Sequence, residues 1–337
     1  MDKGQVEKHY SQLRLDPVSN DWVVIAVGRA MRPEDFSKNK REKIDVSEAD
    51  CVFCNIATQS APVLEYKNEK DEWQLVVIPN KYPAFSVGNE LRKEQQGPYE
   101  TMNAIGHHEV IIIRDHKKTI AEMSTSEVKL IIDAYQSRYL SLKDKKFVNY
   151  ISIFNNYGKE AGASIVHPHS QLMAIPIIDP DLNRSLEGSK KYMDKHGQCV
   201  HCAMIEWDIT DKKRIVFENK EFVVLCPFAS RSSFEVRIYP KVHSAYFEKI
   251  DDQNKQSLAE ALREAIQRIF EVLGDPAYNF FLHTAPCDGG VHDHYHWHLE
   301  IMPKTGTWAG FELGTGIEIS TLEPDKAAEF LRLEKNV

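Results

Sequence analysis

The chain has 337 residues, 42% hydrophobic and 27% charged, which is globular composition and enough length for about two domains. Its 42 basic and 50 acidic residues give a net charge of −8, which argues against a nucleic-acid partner. No apolar run approaches the roughly 20 residues of a membrane span, and the N-terminus lacks the apolar region of a signal peptide, so we expect a cytoplasmic protein with no membrane partner.

Two Cys-x-x-Cys pairs are the first chemical signal along the chain. Cys51 and Cys54 form one pair, and Cys199 and Cys202 form the other. In a chain without a signal peptide, such pairs favour metal ligation over disulfides. A tetrahedral zinc needs four nitrogen or sulfur ligands, so histidines must complete each site.

Each pair is followed by the same order of predicted elements. A hydrophobic strand comes first, then a strand that ends at a histidine, then a helix, and finally two strands with a histidine-rich segment. The first helix starts at a capping box formed by Ser124 and Glu127. The second has an apolar stripe from Leu258 to Phe270 and stops at Gly274. The pattern predicts an α+β fold of antiparallel sheets with packed helices.

The two halves align with each other as an internal repeat. At an offset of 127 residues, His116 falls on His243 and His167 falls on His294. The offset between the two Cys-x-x-Cys pairs is 148, and the polar stretch 86–106 has the size of the insertion that explains the difference. We therefore predict a duplicated unit.

The segment HPHSQ carries the candidate chemistry of the first half. On a strand, residues i and i+2 share a face about 6.5–7 Å apart, so His167, His169 and Gln171 point the same way. One histidine can bind a metal while the next faces a substrate. Just upstream, the loop 155–164 offers backbone N–H groups and Ser164 to a phosphate. A histidine beside such donors suggests covalent catalysis through an N–P bond.

The chain resembles galactose-1-phosphate uridylyltransferases, the transferase branch of the histidine-triad superfamily, through DPVSNDWVVIAVGRAMRPEDF and NNYGKEAGASIVHPHSQ. It also resembles the ADP-glucose phosphorylase branch through IGHHEVII, HSQLMAIP, the second Cys-x-x-Cys pair and GFELGTG. The resemblance extends from Leu13 to Leu331. It implies a duplicated histidine-triad-like fold of half-barrel sheets, in which residues 1–185 carry the active site and residues 186–337 are mainly structural with a second metal site.

The resemblance also implies a double-displacement mechanism. His169 attacks the α-phosphate of a nucleotide sugar, a sugar 1-phosphate leaves, and a second phosphate nucleophile removes the nucleotide. Gln171 replaces a third histidine and holds the phosphoryl oxygens as a neutral amide, which supplies no proton for hydrolysis. The matching catalytic residues are His169, Gln171 and Ser164. The matching substrate contacts are Arg29, Arg32, Asn80, Asn156, Gly162 and Phe311.

Two zinc sites follow from the same resemblance. The first matches Cys51, Cys54, His116 and His167. The second matches Cys199, Cys202, His243 and one histidine of HDHYHWH. For that last ligand the repeat selects His294, whereas the phosphorylase branch selects His296, which we prefer.

The predicted activity is transfer of a uridylyl group from UDP-glucose to a hexose 1-phosphate, with galactose 1-phosphate as the best single acceptor, by a homodimer. One alternative is ADP-glucose phosphorylase, with inorganic phosphate as acceptor. It is favoured by Gly310 and Thr315, which stand where the transferases have Lys and Tyr. Another alternative is a non-catalytic, zinc-stapled module that binds nucleotides.

Overall fold

The strands and helices expected from the sequence are present in the computed structural model, which describes residues 10–27 and 46–332. The strands of these ranges are β1 (Gln12–Leu15), β2 (Trp22–Ile25), β3 (Leu64–Lys67), β4 (Trp73–Pro79), β5 (Lys93–Gln96), β6 (Tyr99–Met102), β7 (His107–Ile113), β8 (Tyr150–Tyr157), β9 (His169–Ile175), β10 (Ile215–Glu218), β11 (Phe222–Leu225), β12 (Val236–Pro240), β13 (Tyr278–His283), β14 (His298–Pro303) and β15 (Ile319–Ser320). The helices are α1 (Thr125–Leu142), α2 (Pro180–His196), α3 (Val200–Asp211), α4 (Asp252–Leu273), α5 (Gly310–Thr315) and α6 (Pro324–Leu331). The predicted α+β fold class is confirmed.

Ten strands form one continuous sheet in the order β10-β11-β12-β14-β13-β8-β9-β7-β4-β3, and every neighbouring pair is antiparallel. The first-half strands β3, β4, β7, β9 and β8 mirror the second-half strands β10, β11, β12, β14 and β13, as a duplicated unit requires. The halves meet where β8 pairs with β13, with Phe154 opposite Phe281. Because the sheet does not break there, side chains of β13 stand beside the first half's strands.

The strand register corrects the repeat alignment for one strand. Gln171 lies opposite Phe154 in the β8–β9 pair, and Glu300 lies opposite Phe281 in the β13–β14 pair. The offset of 127 holds between β8 and β13 but is wrong between β9 and β14, where it is 129. The connection from Phe281 to Glu300 is two residues longer than the connection from Phe154 to Gln171. The counterpart of Gln171 is therefore Glu300.

Two long helices, α1 and α4, cover one face of the sheet. α1 begins at the predicted capping box, in which the Glu127 N–H donates to the Ser124 side chain and the Ser124 N–H donates to the Glu127 carboxylate over 2.7 Å. α4 ends at Gly274, whose φ of +73° is a left-handed value that glycine tolerates. The apolar stripes of both helices pack against the strands in the main core, so both helix predictions are confirmed.

The Cys-x-x-Cys segments cover the opposite face. Cys51 and Phe53 pack with Val76 and Ile112 of the first half's strands. In the second half, α3 begins inside the Cys-x-x-Cys pair and packs Ile205 against β11 and β12. Each Cys-x-x-Cys segment therefore lies across the sheet from the long helices.

The polar stretch 86–106 is confirmed as an insertion, because it forms the separate β5–β6 hairpin between β4 and β7. Strands β1, β2 and β15 form another small sheet. Among the described residues, none of the helices combines the length and the apolar character needed to cross a membrane.

Candidate active site and metal clusters

The first Cys/His cluster consists of Cys51, Cys54, His116 and His167, whose ligand atoms all lie within 4.8 Å of one another. His116 follows the end of β7, and His167 precedes the start of β9. These two strands are neighbours in the sheet. His116 Nδ1 lies 3.2 Å from both Cys54 Sγ and His167 Nδ1, and each sulfur lies 3.5 Å from His167 Nδ1. Bonds of about 2.0–2.3 Å to a tetrahedral ion separate its ligands by roughly 3.3–3.8 Å, so these spacings fit one metal.

Hydrogen bonds fix the tautomers of both imidazoles in this cluster. His116 Nε2–H donates to the Val46 carbonyl over 2.8 Å, and His167 Nε2–H donates to the Ile113 carbonyl over 2.7 Å. A carbonyl only accepts, so each Nε2 carries the proton and each Nδ1 keeps its lone pair toward the cluster. A hydrogen-bonded outer nitrogen is typical of metal-ligating histidines.

The second cluster has the same construction. It consists of Cys199, Cys202, His243 and His296. Nδ1 of His243 and Nδ1 of His296 lie 3.4 and 3.5 Å from Cys202 Sγ, and both Nε2–H groups donate to backbone carbonyls. His294 does not belong to the cluster, which agrees with the two-residue shift of β14. Two sulfurs and two imidazoles are donors that suit zinc.

A third group of candidate ligands, His283, His298 and Glu300, lies in the second half. Burial opposes ionisation of Glu300, but Arg231 and Arg237 outweigh it and lower the pKa of this carboxyl to about 2. Arg231 pairs with one carboxylate oxygen, and Arg237 Nε lies 3.3 Å from the other. Two cations already neutralise the carboxylate, so we assign no metal to this group.

His169, the first residue of β9, has the state expected of a nitrogen nucleophile. Its Nδ1–H donates to the carbonyl of His167 over 2.9 Å, which leaves the lone pair on Nε2. Burial lowers the pKa of His169, so the ring is neutral at neutral pH. Phe53, from between the first two cysteines, contacts the ring edge-on with 5.1 Å between centroids. The first Cys-x-x-Cys segment therefore also supports His169.

The loop between β8 and β9 forms another wall of the His169 pocket. Gly162 ends its short turn at a φ of +88°, a left-handed value that favours glycine. Ser164 and Asn156 line the pocket. Asn279 Nδ2 donates to Asn156 Oδ1 and to the Ala161 carbonyl, both over 2.8 Å. Because the Asn156 oxygen is already bonded to Asn279, the NH₂ group of Asn156 is the part of this side chain that can donate to a ligand.

The two amide residues Gln171 and Asn80 meet at His108 of β7. Gln171 Oε1 lies 2.9 Å, and Asn80 Nδ2 lies 3.1 Å, from Nε2 of His108. Gln171 is two residues after His169 on the same strand, and therefore on the same face. The structure thus brings His169 and Gln171 to one face of β9 and places Asn80 beside His108, which also contacts Gln171.

Of the substrate contacts expected from the resemblance, one lies away from the His169 pocket and two are not described by the structure. Phe311, on α5, is 49% exposed and does not line the His169 pocket. Arg29 and Arg32 fall outside the described residues.

Three residues that sequence reasoning missed also contribute: Phe53, His108 and Asn279. Asn279 had a detectable signal, since it is an isolated amide in the otherwise apolar strand segment YNFFL. The contacts of Phe53 and His108 depend on the folded chain.

Comparisons with known proteins place the chain among nucleotidyltransferases. A model of the galactose-1-phosphate uridyl transferase N-terminal domain matches residues 3–178. The ADP-glucose phosphorylase of Arabidopsis thaliana is 34% identical, and the match covers 98% of this chain and 95% of that protein. The galactose-1-phosphate uridylyltransferase of Thermotoga maritima is 26% identical, and the match covers 95% of this chain and 98% of that protein.

Solved structures give the same grouping. An ADP-glucose phosphorylase from Arabidopsis thaliana with bound ADP-glucose has a TM-score of 0.81 at 30% identity, and the match covers 96% of this chain and 99% of that chain. A uridylyltransferase has a TM-score of 0.74 at 27% identity, with coverages of 95% and 97%.

Proposed function

Since the chain belongs to the galactose-1-phosphate uridyl transferase family of nucleotidyltransferases, we propose that it transfers a uridylyl group from UDP-glucose to galactose 1-phosphate. The observation that carries this proposal is the state of His169. Its Nδ1–H is held by a backbone carbonyl, burial lowers its pKa, and the ring lines a pocket together with Ser164 and Asn156. A neutral imidazole with a free Nε2 lone pair can attack phosphorus without first losing a proton.

The reaction proceeds by two displacements at the same phosphorus. The Nε2 lone pair of His169 forms an N–P bond to the α-phosphate while the P–O bond to glucose 1-phosphate breaks, and the leaving oxygen takes the electron pair. A phosphate oxygen of the acceptor then attacks, the N–P bond breaks, and His169 regains its lone pair. Asn156 and Ser164 donate hydrogen bonds to the phosphate oxygens, on which negative charge is concentrated in both steps.

We propose that the half formed by residues 1–185 is catalytic and the half formed by residues 186–337 is structural. In the second half, His298 stands where His169 stands in the first, and its Nδ1–H also donates to a backbone carbonyl, over 3.1 Å. The next position on that face is Glu300 in place of Gln171. A carboxylate held by Arg231 and Arg237 has no N–H to donate to phosphoryl oxygens, whereas an amide has one.

We propose Zn²⁺ as the metal in both clusters. Cys51, Cys54, His116 and His167 would hold one ion, and Cys199, Cys202, His243 and His296 would hold the other. When bound, the ions would cross-link each Cys-x-x-Cys segment to the strand ends and would so contribute folding free energy. In the first half, fixing His167 also fixes the carbonyl that orients His169.

A second candidate, ADP-glucose phosphorylase, shares the first displacement but uses an adenine nucleotide and inorganic phosphate. It is favoured by the 34% identity to the Arabidopsis thaliana enzyme over nearly the full chain. Gly310 and Thr315, in place of the Lys and Tyr of the transferases, favour it too.

A donor and acceptor panel tests these functions. We expect UDP-glucose labelled in its α-phosphate to leave an acid-labile label on the wild-type protein, and galactose 1-phosphate to remove that label. His169→Gln should take up no label, while the control His294→Gln, outside both clusters, should label like the wild type. Labelling by ADP-glucose with removal by phosphate would instead establish the second candidate. No label from either donor would refute both and support a binding module.

We also propose that the protein acts as a homodimer in the cytoplasm, which the family resemblance implies. Light scattering after size-exclusion chromatography measures the oligomeric state directly. A mass near 77 kDa, twice the 38.7 kDa of the chain, is expected. A monomeric mass at enzymatic concentrations would contradict the proposal.

A further inference from the structure

His108 is a buried histidine of β7 that the proposed mechanism does not use. It is 8% exposed, and both of its ring nitrogens have close neighbours. Nδ1 lies 3.2 Å from the backbone nitrogen of Ala84, and Nε2 lies 2.9 Å from Oε1 of Gln171. The residue belongs to the IGHHEVII segment, to which the sequence assigned no chemical role.

The contact with Ala84 fixes the tautomer of His108. A backbone N–H only donates, so Nδ1 is the acceptor and the proton of the neutral ring is on Nε2. This Nε2–H donates to Oε1 of Gln171. If the Gln171 amide were turned around, its NH₂ group would face the N–H of His108, and two donors cannot bond. The contact therefore selects one orientation of the amide.

Asn80 does not compete for this bond. Its Oδ1 accepts from the backbone N–H of Tyr82 over 2.9 Å, which turns its Nδ2 toward His108. Both Nδ2 of Asn80 and the protonated Nε2 of His108 are donors, so their 3.1 Å contact is not a hydrogen bond. Of the two amides, Gln171 alone presents an acceptor to His108.

We propose that His108 is a positioning residue, which holds the Gln171 amide with its NH₂ group toward phosphoryl oxygens at His169. The proposal rests on the nucleotidyl transfer proposed above. Gln171 and His169 share one face of β9, so the NH₂ group lies on the side where the N–P bond forms. A reversed amide would turn its carbonyl oxygen to the phosphate and oppose the charge that it should stabilise. His108 acts through Gln171 and does not touch the substrate.

A double-mutant cycle tests this role. His108→Phe keeps a ring in the buried site and removes the N–H donor. We expect it to slow labelling of His169 by about tenfold to hundredfold, since loss of a whole transition-state donor costs roughly 10²–10³ in kcat, with little change in KM for the nucleotide sugar. In a Gln171→Ala background, His108→Phe should cause no further loss. Independent losses that multiply in the double variant would overturn the proposal.

A matched pair of variants gives a second readout that does not depend on the phenylalanine variant folding. His108→Gln presents an amide donor to Gln171, while His108→Glu, of nearly equal size, presents a carboxylate acceptor. We expect the glutamine variant to recover most of the wild-type rate and the glutamate variant to remain slow. Equal rates in two variants of wild-type melting temperature and metal content would refute the role. Failure of the wild-type protein to label would instead refute the nucleotidyl transfer itself.

Discussion

Asn279 is a second-half residue whose loss we expect to damage the active site that we propose for the first half. Its Nδ2 donates to Asn156 Oδ1 on the neighbouring strand β8 and to the Ala161 carbonyl in the loop after β8. Asn279→Ala removes both bonds and leaves the β8–β13 backbone pairing in place. Asn156 then loses the partner that turns its NH₂ group into the pocket.

The magnitude follows from the two bonds. Asn279 is 6% exposed, and each buried hydrogen bond contributes about 1 kcal/mol net, with a further cost when an acceptor stays unsatisfied. Because the loop borders an open pocket, water can reach part of the vacated site, so we expect a loss of about 2–3 kcal/mol in unfolding free energy. Releasing the Asn156 donor should slow labelling of His169 by about tenfold to hundredfold.

Urea unfolding and the rate of label uptake measure the two effects separately. Asn183→Ala is the control, because Asn183 is an exposed amide with a single 3.4 Å bond to a carbonyl, and we expect it to change stability by less than about 0.5 kcal/mol. If Asn279→Ala matched this control in both stability and labelling rate, the reasoning that the second half orders the active-site loop would be refuted.

Two further predictions concern metal binding and helix capping. His296→Ala should release one metal ion per chain and lower the melting temperature, whereas His294→Ala should retain both ions in a metal analysis; the reverse result would contradict the two-residue shift of β14. Glu127→Gln should cost about 0.5–1 kcal/mol in unfolding free energy near pH 7, because a neutral amide loses the ion pair with Lys118 and the charge-assisted bond from the Ser124 N–H. Burial opposes ionisation of Glu127, but Lys118 and Ser124 outweigh it and lower its pKa, so the difference from wild type should be present above about pH 4.5 and vanish as the pH falls through the lowered pKa. A difference that grew on acidification would show that this carboxylate does not stabilise the fold.

Local sequence signals predicted the parts of the fold that depend on neighbouring residues. The capping box at Ser124 and the stop at Gly274 are encoded within a few positions of the helix ends, and both appear as expected. The strand period of two predicted that His167 and His169 share a face, and both line the same pocket, while His167 also belongs to the first Cys/His cluster.

Features that depend on contacts between residues far apart in the chain could not be predicted from the sequence. Shifting β14 by two residues preserves its alternation, so period alone could not choose between His294 and His296. The longer connection before β14 shifts this strand by two residues and so places His296, rather than His294, in the second cluster. The role of Asn279 requires the pairing of β8 with β13, and the tautomer of His108 requires a backbone N–H that lies 24 residues away.

The central β8–β13 pairing determines how this protein can be divided. Cutting the chain between its halves would expose the hydrogen-bonding edges of β8 and β13, each rich in buried apolar residues. Unpaired strand edges bind strands of other molecules, so fragments made separately should aggregate. Fragments made together should instead recombine by pairing β8 with β13. The two halves should therefore depend on each other for solubility, whatever chemistry each half carries.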